Sequence, residues 1–279
     1  MRLGAPVTPQ FYNNPETWIA ALRERGYSAV YCPVGEDADP SEIAEYRAAA
    51  READIVIAEV GIWRNMIHPD KSVKREHITY AKRRLRLADA IGANCTVNYV
   101  GSKSPDGKGP DPENFSSATL DEGIAVIRKI IDEVEPQNTF FTLELMPTCV
   151  PDSVESYLET IAAVDRRQFA VHIDPVNILG SHRAYARRHD IVRECFAKLG
   201  PYAKSCHVKD VITHNQYMTH IDECPPGEGT LDHGVFLEEA EALNPDLPLM
   251  LEHMKTDEQY REKADYLRSV AKARGIAVK

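Results

Sequence analysis

The run Thr139-Phe-Phe-Thr-Leu-Glu-Leu-Met-Pro147 is apolar or β-branched at most positions and carries a single carboxylate, Glu144. Such a strand is buried on both faces, as in a parallel sheet covered by helices. Three later runs repeat the pattern, VHIDPVNI (171–178) with Asp174, SCHVKD (205–210) with His207, and LMLEHM (249–254) with Glu252. An isolated carboxylate on a central strand is costly to bury, so each needs a partner. Four adjacent strands ending in Glu, Asp, His and Glu would converge on one point, where a divalent cation would pair all four. Private salt bridges would have to arise separately on every one of those strands.

Working outward, strands are expected near 2–7, 28–33, 54–60, 94–100, 139–145, 169–174, 203–209 and 248–253. Helices are expected near 14–25, 40–51, 70–91, 117–134, 153–165, 186–199, 232–243 and 256–274. Eight strand-then-helix units predict an α/β fold, a (β/α)8 TIM barrel, as a single domain over residues 1–279. Asn14-Pro15-Glu16 reads as a helix start, and Gly26 and Gly200-Pro201 read as stops. Links from helix to strand are short, whereas the strand-to-helix segments 101–116 and 210–231 are long and rich in Gly, Pro, Ser and Asp. Long loops at the carboxyl ends of barrel strands are where such barrels build their sites. Segment 101–116 is expected to be a flexible lid.

The chain has 279 residues, 43% hydrophobic and 27% charged, enough for a large core. Its net charge of −10 disfavours a nucleic-acid partner. The basic stretches 82–86 and 183–188 interleave with apolar residues and read as solvated helix faces. The six cysteines are scattered without a C-x-x-C pair, which suits a reducing compartment. Met1-Arg2-Leu3-Gly4 runs straight into a strand, and no apolar run nears the ~20 residues of a membrane span. The expectation is a cytoplasmic protein with no membrane partner, with a homo-oligomer or a partner subunit left open.

Further residues are candidates beside ordinary structural roles. His172 sits two before Asp174 on the same strand face, as a substrate contact or as a hydrogen-bonded core histidine. Asp210 either braces His207 from behind the ligand or caps the following turn. Trp63, Arg64 and His68 lie in the loop after the third strand, whose last acidic residue is Glu59; a Trp beside an Arg suits a sugar face and its hydroxyls, and a plain surface loop is the alternative. Asn98, Asn177 and Lys209 flank strand ends as substrate-binding candidates. His253 alternates away from Glu252 and is expected to pack. No P-loop, G-x-G-x-x-G or H-E-x-x-H is present, so nothing indicates a phosphorylated substrate.

FTLELMP, VHIDPVNI, SCHVKD, PPGEG (225–229) and LMLEHM resemble the xylose-isomerase-like barrel superfamily of sugar and sugar-phosphate isomerases and epimerases, strand by strand along the whole chain. The resemblance implies one metal held by Glu144, Asp174, His207 and Glu252, with Glu144 and Glu252 also the acid–base pair. Three carboxylates and an imidazole favour Mn²⁺, then Mg²⁺ or Co²⁺, with Zn²⁺ less suited. The implied reaction removes a proton next to a carbonyl of a small carbohydrate and returns it through a metal-bound cis-enediolate. Two departures leave the sugar and the reaction direction open. Ketose 3-epimerases of the family carry His where this chain has Asn177, and a second Glu where it reads Thr148-Cys149-Val150. A lyase acting across an oxidised glycoside, and a sugar-binding barrel without catalysis, are the alternatives. An endonuclease of the same barrel type would need a cluster of zinc histidines that the spacing does not supply.

Overall fold

The computed structural model describes residues 1–218 and 220–279. Along the chain run β1 (Arg2–Ala5), α1 (Pro15–Arg25), β2 (Ala29–Tyr31), α2 (Pro40–Glu52), β3 (Val56–Gly61), α3 (Lys71–Ile91), β4 (Cys95–Asn98) and α4 (Ser117–Val134). Then follow β5 (Phe140–Glu144), α5 (Val154–Val164), β6 (Phe169–Ile173), α6 (His182–Ala186), α7 (Arg188–Glu194) and β7 (Ala203–Val208). The chain ends with β8 (Asp210–His214), β9 (His220–Cys224), α8 (His233–Leu243), β10 (Pro248–Leu251) and α9 (Asp257–Ala273).

Eight strands close a parallel barrel in the order β1-β10-β7-β6-β5-β4-β3-β2, as the alternation of strand and helix predicts. The main core lies between barrel and helices, with Trp18, Leu22, Leu85, Ile91, Phe141 and Phe236 buried in it. Asn14 caps α1 by accepting from the Thr17 amide with Pro15 at the first helical position, and Gly26 ends it at φ 66°.

The structure corrects three expectations. The single helix over 186–199 is instead α6, α7 and a wide π turn at Cys195–Leu199. Ser181 accepts from the Ala184 amide and starts a helix earlier than expected, and Arg187 at ψ 17° interrupts it. Segment 210–231 holds an antiparallel hairpin, with β8 and β9 paired from Asp210↔Cys224 to His214↔His220.

The third concerns the 101–116 loop, which is pinned down. Buried Asn65 donates to the carbonyls of Ser102 and Gly107 at 2.7 and 2.8 Å, and buried Asn114 donates to the Thr148 carbonyl at 3.0 Å. Position 101 needs glycine, because its φ is 130° and a Cβ there would lie 1.9 Å from the Asn65 side-chain oxygen. Side-chain amides thus do for this loop what a sheet ladder does for a strand.

Candidate metal centre

Glu144 is the last residue of β5, Asp174 follows β6, His207 lies in β7, and Glu252 follows β10. Adjacent strands bring one ligand atom from each to within 4.8 Å of the others. Nδ1 of His207 is 3.0 Å from Glu144 Oε1, 3.1 Å from Glu252 Oε1 and 3.6 Å from Asp174 Oδ2. Asp174 and His207 are buried to 1% exposure or less, and Glu144 to 5%.

Both Asp174 oxygens and Glu252 Oε1 are buried without an aligned hydrogen bond. Lys209 Nζ stands 2.6 Å from Asp174 Oδ2 and from Glu252 Oε1, close but not directed as a donor to either. Burial, with the Asp174 carboxylate adding to it, pushes Glu144 up to about 8. A buried carboxyl beside another carboxylate behaves this way. Burial acts against the Glu252 anion, yet His207 and Lys209 outweigh it and hold that carboxyl down at about 2. Converging oxygens with unused lone pairs, joined by one imidazole, fit a hard divalent cation.

The group behind His207 is Glu59, which the sequence reading left without a role. Nδ1 faces the three carboxylates, while Nε2 lies 3.3 Å from Glu59 Oε2, close but not aligned as a hydrogen bond. Ser205 donates to the other Glu59 oxygen, and His172 Nδ1 is 3.5 Å from it. A carboxylate against the outer nitrogen orients a ligating imidazole and sets its tautomer. A signal existed, since Glu59 is the one charge in an otherwise apolar strand, but nothing in the spacing says which residue it meets across the barrel.

A 530 Å³ pocket opens over the centre, with Tyr31, Trp63, Tyr99, Asn177, Lys209 and Tyr260 in its wall. A larger groove of 830 Å³ between α1 and α2 has no converging ligand set.

A family model described as xylose isomerase-like TIM barrel matches residues 19–270. The chain belongs to the xylose isomerase-like TIM barrel family. No curated protein sequence matches it. Among solved structures it is similar to a xylose isomerase-like TIM barrel protein from Mycobacterium smegmatis in complex with magnesium, at 17% identity and TM-score 0.69, covering 98% of this chain and 97% of that one. It is similar to the 3-keto-D-glucoside 4-epimerase of E. coli, at 14% identity and TM-score 0.69, covering 96% and 99%. It is also similar to a probable 3-DHS dehydratase of Bacillus anthracis involved in petrobactin synthesis, at 17% identity and TM-score 0.70, covering 97% and 99%. At these identities the likeness shows the fold alone.

The other candidates separate on this xylose isomerase-like frame. Trp63, Asn177 and Lys209 line the pocket, and Lys209 donates to Asn177 Oδ1 at 3.0 Å. Arg64 turns away from it, with its guanidinium 4.6 Å over the Tyr80 ring. Asn98 is fully buried and clamps the Arg64 backbone, accepting from its amide at 2.9 Å and donating to its carbonyl at 3.1 Å. His68 packs edge-on to His77 and accepts from the Asp70 amide. Asn98 spends both polar atoms of its side chain on the Arg64 backbone, and the structure places Arg64 and His68 outside the pocket wall, against Tyr80 and against Asp70 with His77. His172 lies beneath the centre, 4.1 Å from the His207 ring, and burial, with the His207 charge beside it, drops it to about 4.

Asp210 does not brace His207. Its carboxylate accepts from the amides of Val211, Gly227, Gly229 and Leu231 at 2.7–3.1 Å, which wraps the PPGEG segment around it. A Cβ on Gly229 would lie 2.4 Å from Asp210 Oδ1, so that position needs glycine. His253 is also corrected. It sits at the rim at φ 61°, with Nδ1 2.7 Å from Glu223 Oε1, because the turn after β10 flips it outward. Among the described residues no helix is long and apolar enough to cross a membrane.

Proposed function

We propose that this chain is a divalent-metal-dependent isomerase or epimerase that moves a proton next to the carbonyl of a small carbohydrate, in the cytoplasm, with Glu144 and Glu252 as its acid–base pair. The observation that carries this reading is the meeting of Glu144, Asp174, His207 and Glu252 within 4.8 Å at the floor of an open pocket. Mn²⁺ or Mg²⁺ suits this donor set, and the magnesium in the mycobacterial relative supports a hard ion. When bound, the cation supplies Lewis acidity toward a carbonyl and its neighbouring hydroxyl.

The chain's own residues do the rest. Glu144 and Glu252 approach the pocket from different strands, so each can exchange a proton with a different side of a bound carbon. Glu59 stands behind His207 as the acceptor available to its outer nitrogen, and Lys209 with Asn177 places a paired donor and acceptor at the wall for substrate hydroxyls. Tyr31, Trp63, Tyr99 and Tyr260 line the pocket with aromatic surface around the reacting carbon.

The test is solvent deuterium wash-in at the carbon next to the carbonyl, on a panel of ketoses and oxidised glycosides. Glu144→Gln and Glu252→Gln are each expected to lose about 10²–10⁴-fold in rate, with one variant still exchanging at one face. Full turnover in both variants would remove the two-glutamate reading. The dehydratase among the structural relatives supports elimination as a second reading, and wash-in accompanied by release of a substituent would identify it.

A further inference from the structure

Among the described residues, Asp54, Trp63, Glu135, Asp165 and His253 are the non-glycine residues at positive φ. Glu135 and Asp165 cap the ends of α4 and α5, and Asp54 lies in the tight link after α2, where such a backbone is ordinary. Trp63, at φ 50°, has no such excuse, because a bulky side chain is disfavoured in that region.

Its neighbours are arranged to keep it there. A Cβ on Gly61 would lie 2.4 Å from the Trp63 indole nitrogen, so the ring rests where only a glycine leaves room. Asn98 grips both backbone groups of Arg64, and the Arg64 guanidinium donates back to the Trp63 carbonyl at 3.1 Å. The indole is 39% exposed, in the pocket wall, and inclined 27° to the ring of His207 at 6.4 Å. Tyr31, Tyr99 and Tyr260 extend the same wall. The positive charge in that wall faces carboxylates. Lys209 Nζ faces Asp174, Glu252 and Glu223 at 2.6–3.1 Å, and His253 faces Glu223.

From this we propose that Trp63 is a built stacking platform, and that the pocket takes an uncharged, hydroxylated ring in preference to an open-chain polyol or a sugar phosphate. A pyranoside or carbocycle presents a C–H face whose partial positive charge suits the negative face of an indole. A phosphate would have to take Lys209 and His253 from the carboxylates they already face. The proposal rests on the carbohydrate reading above but is tested without turnover.

The sequence holds two tryptophans, and Trp18 is fully buried in α1, so a ligand that alters intrinsic fluorescence reports on Trp63. The Mg²⁺-supplemented protein is titrated with methyl β-D-glucopyranoside and a cyclitol as ring probes, and with sorbitol and glucose 6-phosphate as contrasts. Saturable quenching is expected with the rings, and binding about tenfold weaker or more for both contrasts, the size of one aromatic contact. By calorimetry, Trp63→Ala and Gly61→Ala should each lose about that tenfold for the rings, and Trp63→Phe should recover most of it. Equal affinity for sorbitol or glucose 6-phosphate, no saturable ring binding, or unaltered ring affinity in Trp63→Ala would overturn it. A protein that washes in deuterium yet shows no ring preference loses this proposal and keeps the reading of its function.

Discussion

The strands β1 to β4 and the strands β5, β6, β7 and β10 share one parallel barrel, yet they end in different chemistry. The second group ends in the four candidate ligands. The first ends in Tyr31, Glu59, Trp63 just beyond Gly61, and Asn98, which form wall, brace and clamp. Neighbouring strands lie about 4.8 Å apart, which brings the four candidate ligand atoms close together at their ends. Walls and braces can also act from across the barrel. Glu59 does so, reaching His207 from β3.

The sharpest way to break this division is to weigh one carboxylate from each group. Asp174→Asn should lower Mn²⁺ or Mg²⁺ affinity by about a hundredfold or more, since a candidate ligand loses its negative charge, while Glu59→Gln should cost about 10–100-fold, as for an outer partner of a metal-binding histidine. Calorimetry on chelator-treated protein measures both. A Glu59→Gln loss as large as that of Asp174→Asn would move Glu59 among the ligands, and no loss would leave it a purely structural acid.

A smaller effect is expected at the clamp. Asn98→Ala leaves the Arg64 amide and carbonyl without their buried partner, which should destabilise the fold by about 1–3 kcal/mol. Urea unfolding gives the stability change, and the Trp63 emission maximum should move with it. Unaltered metal affinity in this variant would keep clamp and centre separate; a matching loss would join them.

The smallest effect belongs to the loop after β4. The Ser104 hydroxyl and the amides of Lys108 and Gly109 hold the Asp106 carboxyl down at about 2. Its folded-state value lies below the ordinary carboxylate range, so its contribution is complete above that range and is lost as pH falls through about 2. Amide exchange at Gly109, relative to Ser102, should therefore accelerate only over that acid span, and Asp106→Asn should show the fast rate at every pH. Exchange that is equally slow in the variant would mean that Asn65 and Asn114 alone hold the loop.

How much could be read beforehand follows from which interactions are local. β5 and its three partners in the ligand set were legible because a lone charge in an apolar run is expensive and has few explanations. The PPGEG segment was visible as a motif, but its purpose, wrapping Asp210, depends on amides about twenty residues further along. Arg64 and His68 looked like sugar contacts because residue type was all that could be judged; the direction of each side chain was set by Tyr80 and by Asp70 with His77. The composition of 101–116 suggested a flexible lid, and the asparagines that pin it lie partly outside it, at Asn65.

By itself, then, the sequence determined the barrel and its four candidate ligands, because burial on both strand faces and the cost of an unpaired charge act residue by residue along the chain. Tertiary structure alone decided that Glu59 rather than Asp210 stands behind His207, and that a tryptophan is held at φ 50° over the pocket. Those outcomes depend on atoms from β3, β4 and β7 meeting in space, and barrel closure sets such meetings without leaving a periodicity in the sequence.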